Sequence, residues 1–311
     1  MNISSLRSII TSSLQPLVSS DYWLLDVPYY TNIGDTLIWE GTRDFLASVA
    51  FKCKGMYSIE TFVFPEIPES DIILLQGGGN FGDVWIRHQV FREKVLEHYP
   101  KNRCIILPQT VYYETEENLR HSIEAFSRHK RLTVCARDKV SFDFLKANFT
   151  NEILLVPDMA FCIDIRKHLD PFRLKQSKPG LLVKRVDKEL GRPDSLKEVE
   201  GMDGITVSDW PTIENGNAFP DRTLLKLLRR LPRSRRLLDI YARCFYRWYL
   251  IRTGVRFLSP YEKIYTTRLH AAILGILLGK DVVVFDNSYG KNRQFYETWL
   301  QDSENVKLIR Q

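Results

Sequence analysis

No apolar run in this chain reaches the ~18 residues that a membrane-spanning helix needs. The opening stretch MNISSLRSIITSSLQPLVSS is too polar and too interrupted for a secretory leader. Cysteine is sparse: Cys53, Cys104, Cys135, Cys162 and Cys244 stand far apart with no CxxC pair. That spacing excludes a disulfide scaffold and a thiolate zinc site, and thiols set in runs such as RCIILP and LTVCAR read as reduced and buried. There is no HExxH, no Asp-X-Asp and no His-rich cluster, so no metal and no other cofactor is expected. Internal repeats and low-complexity tracts are missing as well, which excludes solenoid architectures. The expectation is a cytoplasmic protein, working in solution or at the inner face of the cell membrane.

What the chain does carry is positive charge and a regular rhythm. Lys and Arg number 44 against 38 Asp and Glu, a net charge of +6, which favours a phosphorylated small molecule, a membrane surface or a nucleic acid as partner. Apolar runs of strand length, YWLLDV (22–27), DIILLQ (71–76), RCIILP (103–108), RLTVCAR (131–137) and EILLVPD (152–158), alternate with amphipathic stretches of helix length. Near-continuous apolar strands separated by helices mark a parallel sheet covered on both faces. From about residue 165 to 217 the texture turns to charge, Pro and Gly, with one strand-like island, GLLVKRV. KIYTT, AAILGILLG, DVVVFD and NRQFYETWL then resume the alternation. The expected fold class is α/β, with two Rossmann-like doubly wound domains, 1–168 and 169–311, divided near 165–178. The last helix is able to pack back on the first domain.

DIILLQGGGNFGDVW reads as a strand, a glycine turn and a helix, with Gly77, Gly79 and Gly82 satisfying G-x-G-x-x-G. A dinucleotide site would want an acid at the end of the next strand, where Pro108, Gln109 and Thr110 stand, and a P-loop would want Lys-Ser/Thr after the glycines. What remains is a turn whose Gly78, Gly79, Asn80 and Asp83 lie at the carboxyl edge of a sheet, where open α/β proteins hold ligands. Asp35, in NIGDTLIWE, stands at the turn after the first strand, either as a helix N-cap or as a ligand contact.

In KIYTTRLHAAILG, Thr267 can serve as N-cap, with Arg268 and His270 in the first helical turn. A cation there opposes the helix dipole by roughly 0.3–1 kcal/mol unless an anion is bound. A guanidinium, an imidazole and helix-end N–H groups suit a phosphate or carboxylate. Lys291 follows strand DVVVFD and emerges at the same edge, while Arg137 and Arg185 stand at two further strand ends.

Taken together, NIGD (32–35), LLQGGGNFGD (74–83), LPQT (107–110), ARDKVSFDFL (136–145), VPDMAF (156–161), TTRLHAAILGILLGK (266–280) and DNSYGKNRQFYETW (286–299) resemble the polysaccharide pyruvyl transferase family. Between about 162 and 258 little resembles it. The resemblance implies a GT-B-like pair of domains with the active site in the inter-domain cleft, the acceptor sugar on the first domain and phosphoenolpyruvate on the second. It implies transfer of a carboxyethylidene (pyruvyl ketal) group from phosphoenolpyruvate to a sugar of a surface polysaccharide or its lipid-linked precursor. Arg268, Leu269 and His270 match the family's donor-site block, with Arg137 and Lys291 as further anion clamps. Asn80, Gly78 and Gly79 join them as substrate-binding residues, and Asp83 sits nearer the acceptor. His270, Asp83 and Asp35 are the catalytic candidates, His270 as general acid or base. Two other readings stay open: a GT-B glycosyltransferase using a nucleotide sugar, and a non-catalytic subunit of a polysaccharide assembly complex.

Eleven Lys and Arg lie between Arg222 and Arg256 among Leu, Tyr, Phe and Trp. This stretch reads either as packed helices with a solvated basic face or as a peripheral contact with an anionic membrane. It carries no nucleic-acid-binding motif, and none is expected as a partner.

Overall fold

The computed structural model describes residues 2–169, 178–185, 194–214, 220–230, 235–286 and 290–309. By their internal contacts they form two compact units: Ser4–Pro28 with Gly41–Cys162, and Met1–Ile3 with Tyr29–Glu40 and Ile163–Gln311. Part of the segment assigned to either side of the expected 165–178 boundary lies outside the described residues.

In the first unit the apolar runs become strands: β1 Tyr22–Leu25, β2 Cys53–Tyr57, β3 Ile72–Leu75, β4 Gly78–Gly82, β5 Arg103–Tyr112, β6 Leu132–Ala136 and β7 Glu152–Leu155. All pair in parallel, in the order β2-β1-β3-β5-β6-β7, with β4 on β5. Helices α1 Ile3–Leu14, α3 Ile86–His98, α4 Glu116–Ser127 and α5 Lys139–Asn148 accompany these strands, and α2 Ile33–Leu46 follows β1, its residues 33–40 counted with the second unit. Strands buried from end to end, such as IILL and LTVCA, need apolar cover on both faces. Leu25, Ile73, Leu75, Ile106, Val134 and Phe126 are among the residues of the resulting core.

The glycine cluster departs from expectation. Instead of opening a helix, Gly78–Gly82 forms β4, which runs beside the second half of the long β5, with Gly78 opposite Gln109 and Gly82 opposite Tyr112. The glycines permit this close approach. A Cβ on Gly77 would fall 2.7 Å from the Pro108 carbonyl oxygen, and one on Gly82, at φ +112°, 1.8 Å from that of Tyr112. Helix α3 begins only at Ile86.

The second unit holds β8 Lys178–Val183, α6 Asp194–Glu200, β9 Ile205–Ser208, α7 Pro211–Glu214, α8 Pro220–Arg230, α9 Arg235–Tyr241, α10 Arg247–Leu258, β10 Tyr261–Thr266, α11 Leu269–Leu277, β11 Asp281–Phe285, α12 Lys291–Trp299 and β12 Val306–Ile309. A π-helical segment over Ala242–Tyr246 joins α9 to α10. The parallel sheet has the order β12-β11-β10-β8-β9. Helix α12 belongs to this unit, tied to its own sheet by Asn292.

Strand order reverses between β1 and β3 in the first sheet and between β8 and β10 in the second. At such switch points neighbouring connections leave toward opposite faces and open a crevice at the carboxyl ends of the strands. Two of the five cysteines escape the expectation of burial. All are free thiols, but Cys53 and Cys244 are exposed, whereas burial pushes the Cys162 thiol up to about 12. No described helix is long and apolar enough to cross a membrane.

Candidate active site

At the switch point of the second sheet the chain leaves β10 through two threonines whose hydroxyls hold backbone. Thr266 Oγ1 accepts from the Arg268 N–H at 2.8 Å, and Thr267 Oγ1 accepts from the Arg185 N–H, just past β8, at 2.9 Å. Thr267 is therefore not the N-cap. Arg268 takes that position in extended conformation, with no side-chain cap, and α11 starts at Leu269. The N-cap residue of this apolar helix thus offers no side-chain acceptor to the first-turn N–H groups, an arrangement that suits an anion.

The Arg268 guanidinium is held by a carboxylate that the sequence reading missed. Its Nε and Nη2 grip the two oxygens of Asp209, the latter at 2.5 Å. Asp209 follows β9, is 1% exposed, and also accepts from the Trp210 N–H at 2.7 Å. A bidentate fork fixes the plane of the guanidinium as well as its place. The signal was available in ITVSDW, but β9 has two exposed central residues between partly buried ends and lacks the apolar run that marked the other strands.

His270 lies in the first turn of α11, half-buried against Gly34. A Cβ on Gly34 would stand 2.8 Å from His270 Nδ1, so only glycine leaves the ring its seat. Gly34 lies in the first turn of α2. The cap there is Asn32, not Asp35: Asn32 Oδ1 accepts from the N–H groups of Gly34 (2.9 Å) and Asp35 (3.4 Å). Asp35 in turn accepts from the Tyr30 hydroxyl (3.0 Å) and the Asn32 amide (2.8 Å). Two helix starts thus meet at one imidazole.

A third start joins them. Buried Asn292, in the first turn of α12, donates to the carbonyls of Thr267 (2.9 Å) and Phe285 (2.8 Å), which ties this helix to the ends of β10 and β11. Lys291, immediately before it, is carried to the same edge. Asp35, Arg268, Leu269, His270 and Lys291 therefore share one edge of one unit, with Arg185 and Asp209 beside them.

The other candidates lie in the first unit. Arg137 is 4% exposed, with Nη1 on Asp158 Oδ2 at 2.8 Å and Nε on the Thr110 hydroxyl at 2.8 Å. A Cβ on Gly79 would lie 3.0 Å from Arg137 Nη2. Asn80 gives its carbonyl (3.0 Å) and its side-chain oxygen to buried Arg92. Asp83 is a helix-end carboxylate: its oxygens accept from the N–H groups of Glu114 (2.7 Å) and Thr115 (3.0 Å), the Thr115 hydroxyl (3.1 Å) and the Asn118 amide (3.1 Å), all at the start of α4. Partial burial pushes its pKa up, but these donors outweigh it and hold the carboxyl below its ordinary value. Such a group stays ionised near neutrality and gives no proton.

One further group was not foreseen. Asp26, directly after β1, holds His88 Nδ1 at 2.7 Å and Arg92 Nη2 at 3.4 Å. IRHQVFRE shows only an ordinary amphipathic helix, and nothing in the sequence announces that His88 and Arg92 meet a carboxylate 62 and 66 positions away.

A doubly wound α/β sheet that gathers cationic side chains and helix starts at its switch point has the layout of a ligand site in open α/β proteins. The chain belongs to the polysaccharide pyruvyl transferase family, whose profile, Polysaccharide pyruvyl transferase, matches residues 32–289. It is 34% identical over 293 residues to a Bacillus subtilis (strain 168) protein named "Putative pyruvyl transferase EpsO", covering 91% of this chain and 87% of that one. With "Pyruvyl transferase 1" of Schizosaccharomyces pombe it shares 26% over 306 residues, 89% of this chain and 69% of that one. A solved structure of a functionally uncharacterised Klebsiella pneumoniae protein has a similar fold, with a TM-score of 0.63 at 20% identity over 98% and 99% of the two chains.

Proposed function

We propose that the protein transfers a pyruvyl group from phosphoenolpyruvate to two hydroxyls of a sugar in a surface polysaccharide or its lipid-linked precursor, forming a ketal. The observation that carries this is the head of α11: Arg268 locked by Asp209, His270 seated on Gly34, and Lys291 brought alongside by Asn292. Phosphoenolpyruvate offers a phosphate and a carboxylate, and this edge supplies two cationic side chains and the positive end of an apolar helix. His270 is the general acid that protonates the methylene carbon. The electrophilic centre takes the first hydroxyl, phosphate departs, and a second hydroxyl closes the ketal. Names of relatives carrying the words pyruvyl transferase support the reaction class. A GT-B-like pairing of the two units belongs to the same proposal.

The test is to supply phosphoenolpyruvate, or a nucleotide sugar, with galactoside, mannoside and lipid-linked acceptors, following phosphate release and acceptor mass. The expected product gains a pyruvyl ketal, and His270→Ala and Arg268→Ala abolish its formation. Gain of a hexose mass would overturn the reading.

A peripheral membrane contact fits the same reading. Leu227, Leu237, Ile240, Phe245 and Trp248 are exposed on α8 to α10, Phe245 by 63%, among exposed Lys226, Arg230, Arg235 and Arg236. The only acid between Arg222 and Arg256 is Asp239, buried on the Tyr29 hydroxyl at 2.9 Å. An apolar face with this charge fits anionic lipid, and a second copy of the same face would repel it. Sedimentation with phosphatidylglycerol vesicles is expected at low salt. Each Arg changed to Gln should weaken partitioning about fivefold, and no sedimentation by the wild type would retire the contact.

A further inference from the structure

Just before β6 the chain reads RHKRL (128–132), four successive groups able to carry positive charge, and β5 opens on Arg103. Parallel pairing sets the starts of β5, β6 and β7 side by side, at the edge of the first sheet opposite the one that carries Gly78, Asn80 and Arg137. A cleft of about 490 Å³ opens there, within the ~300–1,000 Å³ of small-molecule sites. All of its lining residues belong to the first unit.

Three side chains of this lining hold buried atoms with no hydrogen-bond partner among the described residues: His129 Nδ1, Asn151 Oδ1 and Arg103 Nε. His129 is 2% exposed and gives its Nε2–H to the Tyr99 carbonyl at 3.1 Å, which leaves a lone pair on Nδ1. Burial holds the pKa of this ring below its ordinary value, so the neutral form persists. Asn151 donates its amide to the carbonyls of Phe126 (3.1 Å) and His129 (3.3 Å), which fixes Oδ1 as an acceptor. Buried polar atoms are seldom left unmatched, so these call for partners from outside the chain. Around them stand exposed Lys130 and Arg131, each with one donor on a backbone carbonyl, Ser127 at 3.0 Å and Lys101 at 2.8 Å, and with others beyond it. Glu152, which accepts from the Thr133 hydroxyl at 2.6 Å, is the one acid lining the cleft, so positive charge is in excess.

Two acceptors beside a set of cationic donors suit a molecule with hydroxyls to give and a negative charge to place. No aromatic ring among the described residues lines the cleft, which gives a nucleobase nothing to stack on. We propose that this cleft is a second binding site, for an anionic sugar, a monosaccharide carrying a phosphate or a carboxylate. Its anion meets Lys130, Arg131 and Arg103, and its hydroxyls donate to His129 and Asn151. Nothing in this depends on the reaction proposed above.

The test is isothermal titration of the full chain with glucose 1-phosphate, a glucuronate-containing oligosaccharide, inorganic phosphate and glucose, with hydrogen exchange to locate what binds. At least one of the two anionic sugars is expected to bind and to slow exchange over 127–133 and 150–152. The tighter of them names the source, a free phosphorylated sugar or an acidic residue of a glycan. Glucose should not bind, and inorganic phosphate, without the sugar's hydroxyls, should bind about tenfold more weakly or worse. Lys130→Gln with Arg131→Gln removes two exposed charges, so the double variant should melt like wild type and bind the anionic sugar about tenfold more weakly or worse. Arg128→Gln removes a neighbouring charge that pairs with Glu124 outside the cleft, and should change binding by less than about twofold. Binding of neither anionic sugar, protection confined to other segments, or equal losses in the two variants overturns the proposal. So does inorganic phosphate binding as tightly as the sugars.

Discussion

At the scale of single residues, Gly34 and Asp209 matter because of what they do to their neighbours. Alanine is the better helix former by ~1 kcal/mol, so Gly34→Ala should not weaken α2. It should instead displace His270, whose Nδ1 would lie 2.8 Å from the new Cβ. The expected result is a large fall in kcat with an unchanged melting temperature, measured side by side. Asp209→Ala breaks a largely buried ion pair, at a cost of about 3 kcal/mol. It should raise KM for the donor as the Arg268 fork loses its plane, and Arg268→Lys should do the same without the loss of stability. Asp83 lends itself to a pH test. Its carboxyl is depressed in the fold, so its contribution is fully present above the ordinary value of 3.8 and is lost as pH falls through the lower folded value. Asp83→Ala should cost ~0.5–1 kcal/mol at neutral pH, and the gap between the two melting curves should close on strong acidification.

At the scale of elements, the glycine-rich segment and α12 were the least legible. GGGNFG resembles a helix-opening loop because glycine clusters usually relax the backbone. Here they let β4 lie against β5, which a side chain at Gly77 or Gly82 would not allow. Gly82→Ala should therefore cost at least ~1–3 kcal/mol for the positive φ alone, read as a drop in denaturant midpoint. Helix α12 looked like a terminal helix free to pack elsewhere. Two bonds from the buried Asn292 amide bind it to β10 and β11. Asn292→Ala leaves two carbonyls unmatched at ~1–3 kcal/mol, and hydrogen exchange should then show faster opening at Lys291–Trp299 than elsewhere in the second sheet.

For the whole molecule, a ligand that binds only the folded state stabilises it by mass action, by ~2.7 kcal/mol at a hundredfold excess over Kd. Phosphoenolpyruvate should therefore raise the melting temperature of the wild type and leave that of Arg268→Ala unchanged. No shift in the wild type would count against the donor.

What the sequence alone determined was the alternation of apolar strands with helices, the parallel character of the sheets, and the candidacy of Arg268 and His270. Each of these is a local pattern, written in side-chain periodicity or in a charge at a helix start. The tertiary structure alone decided that Asp209 holds Arg268 from 59 positions away, that Gly34 seats His270, and that Asp26 meets His88. Those meetings depend on strand order. A switch point brings residues far apart in the chain to one edge, and no spacing along the chain encodes which strand lies next to which.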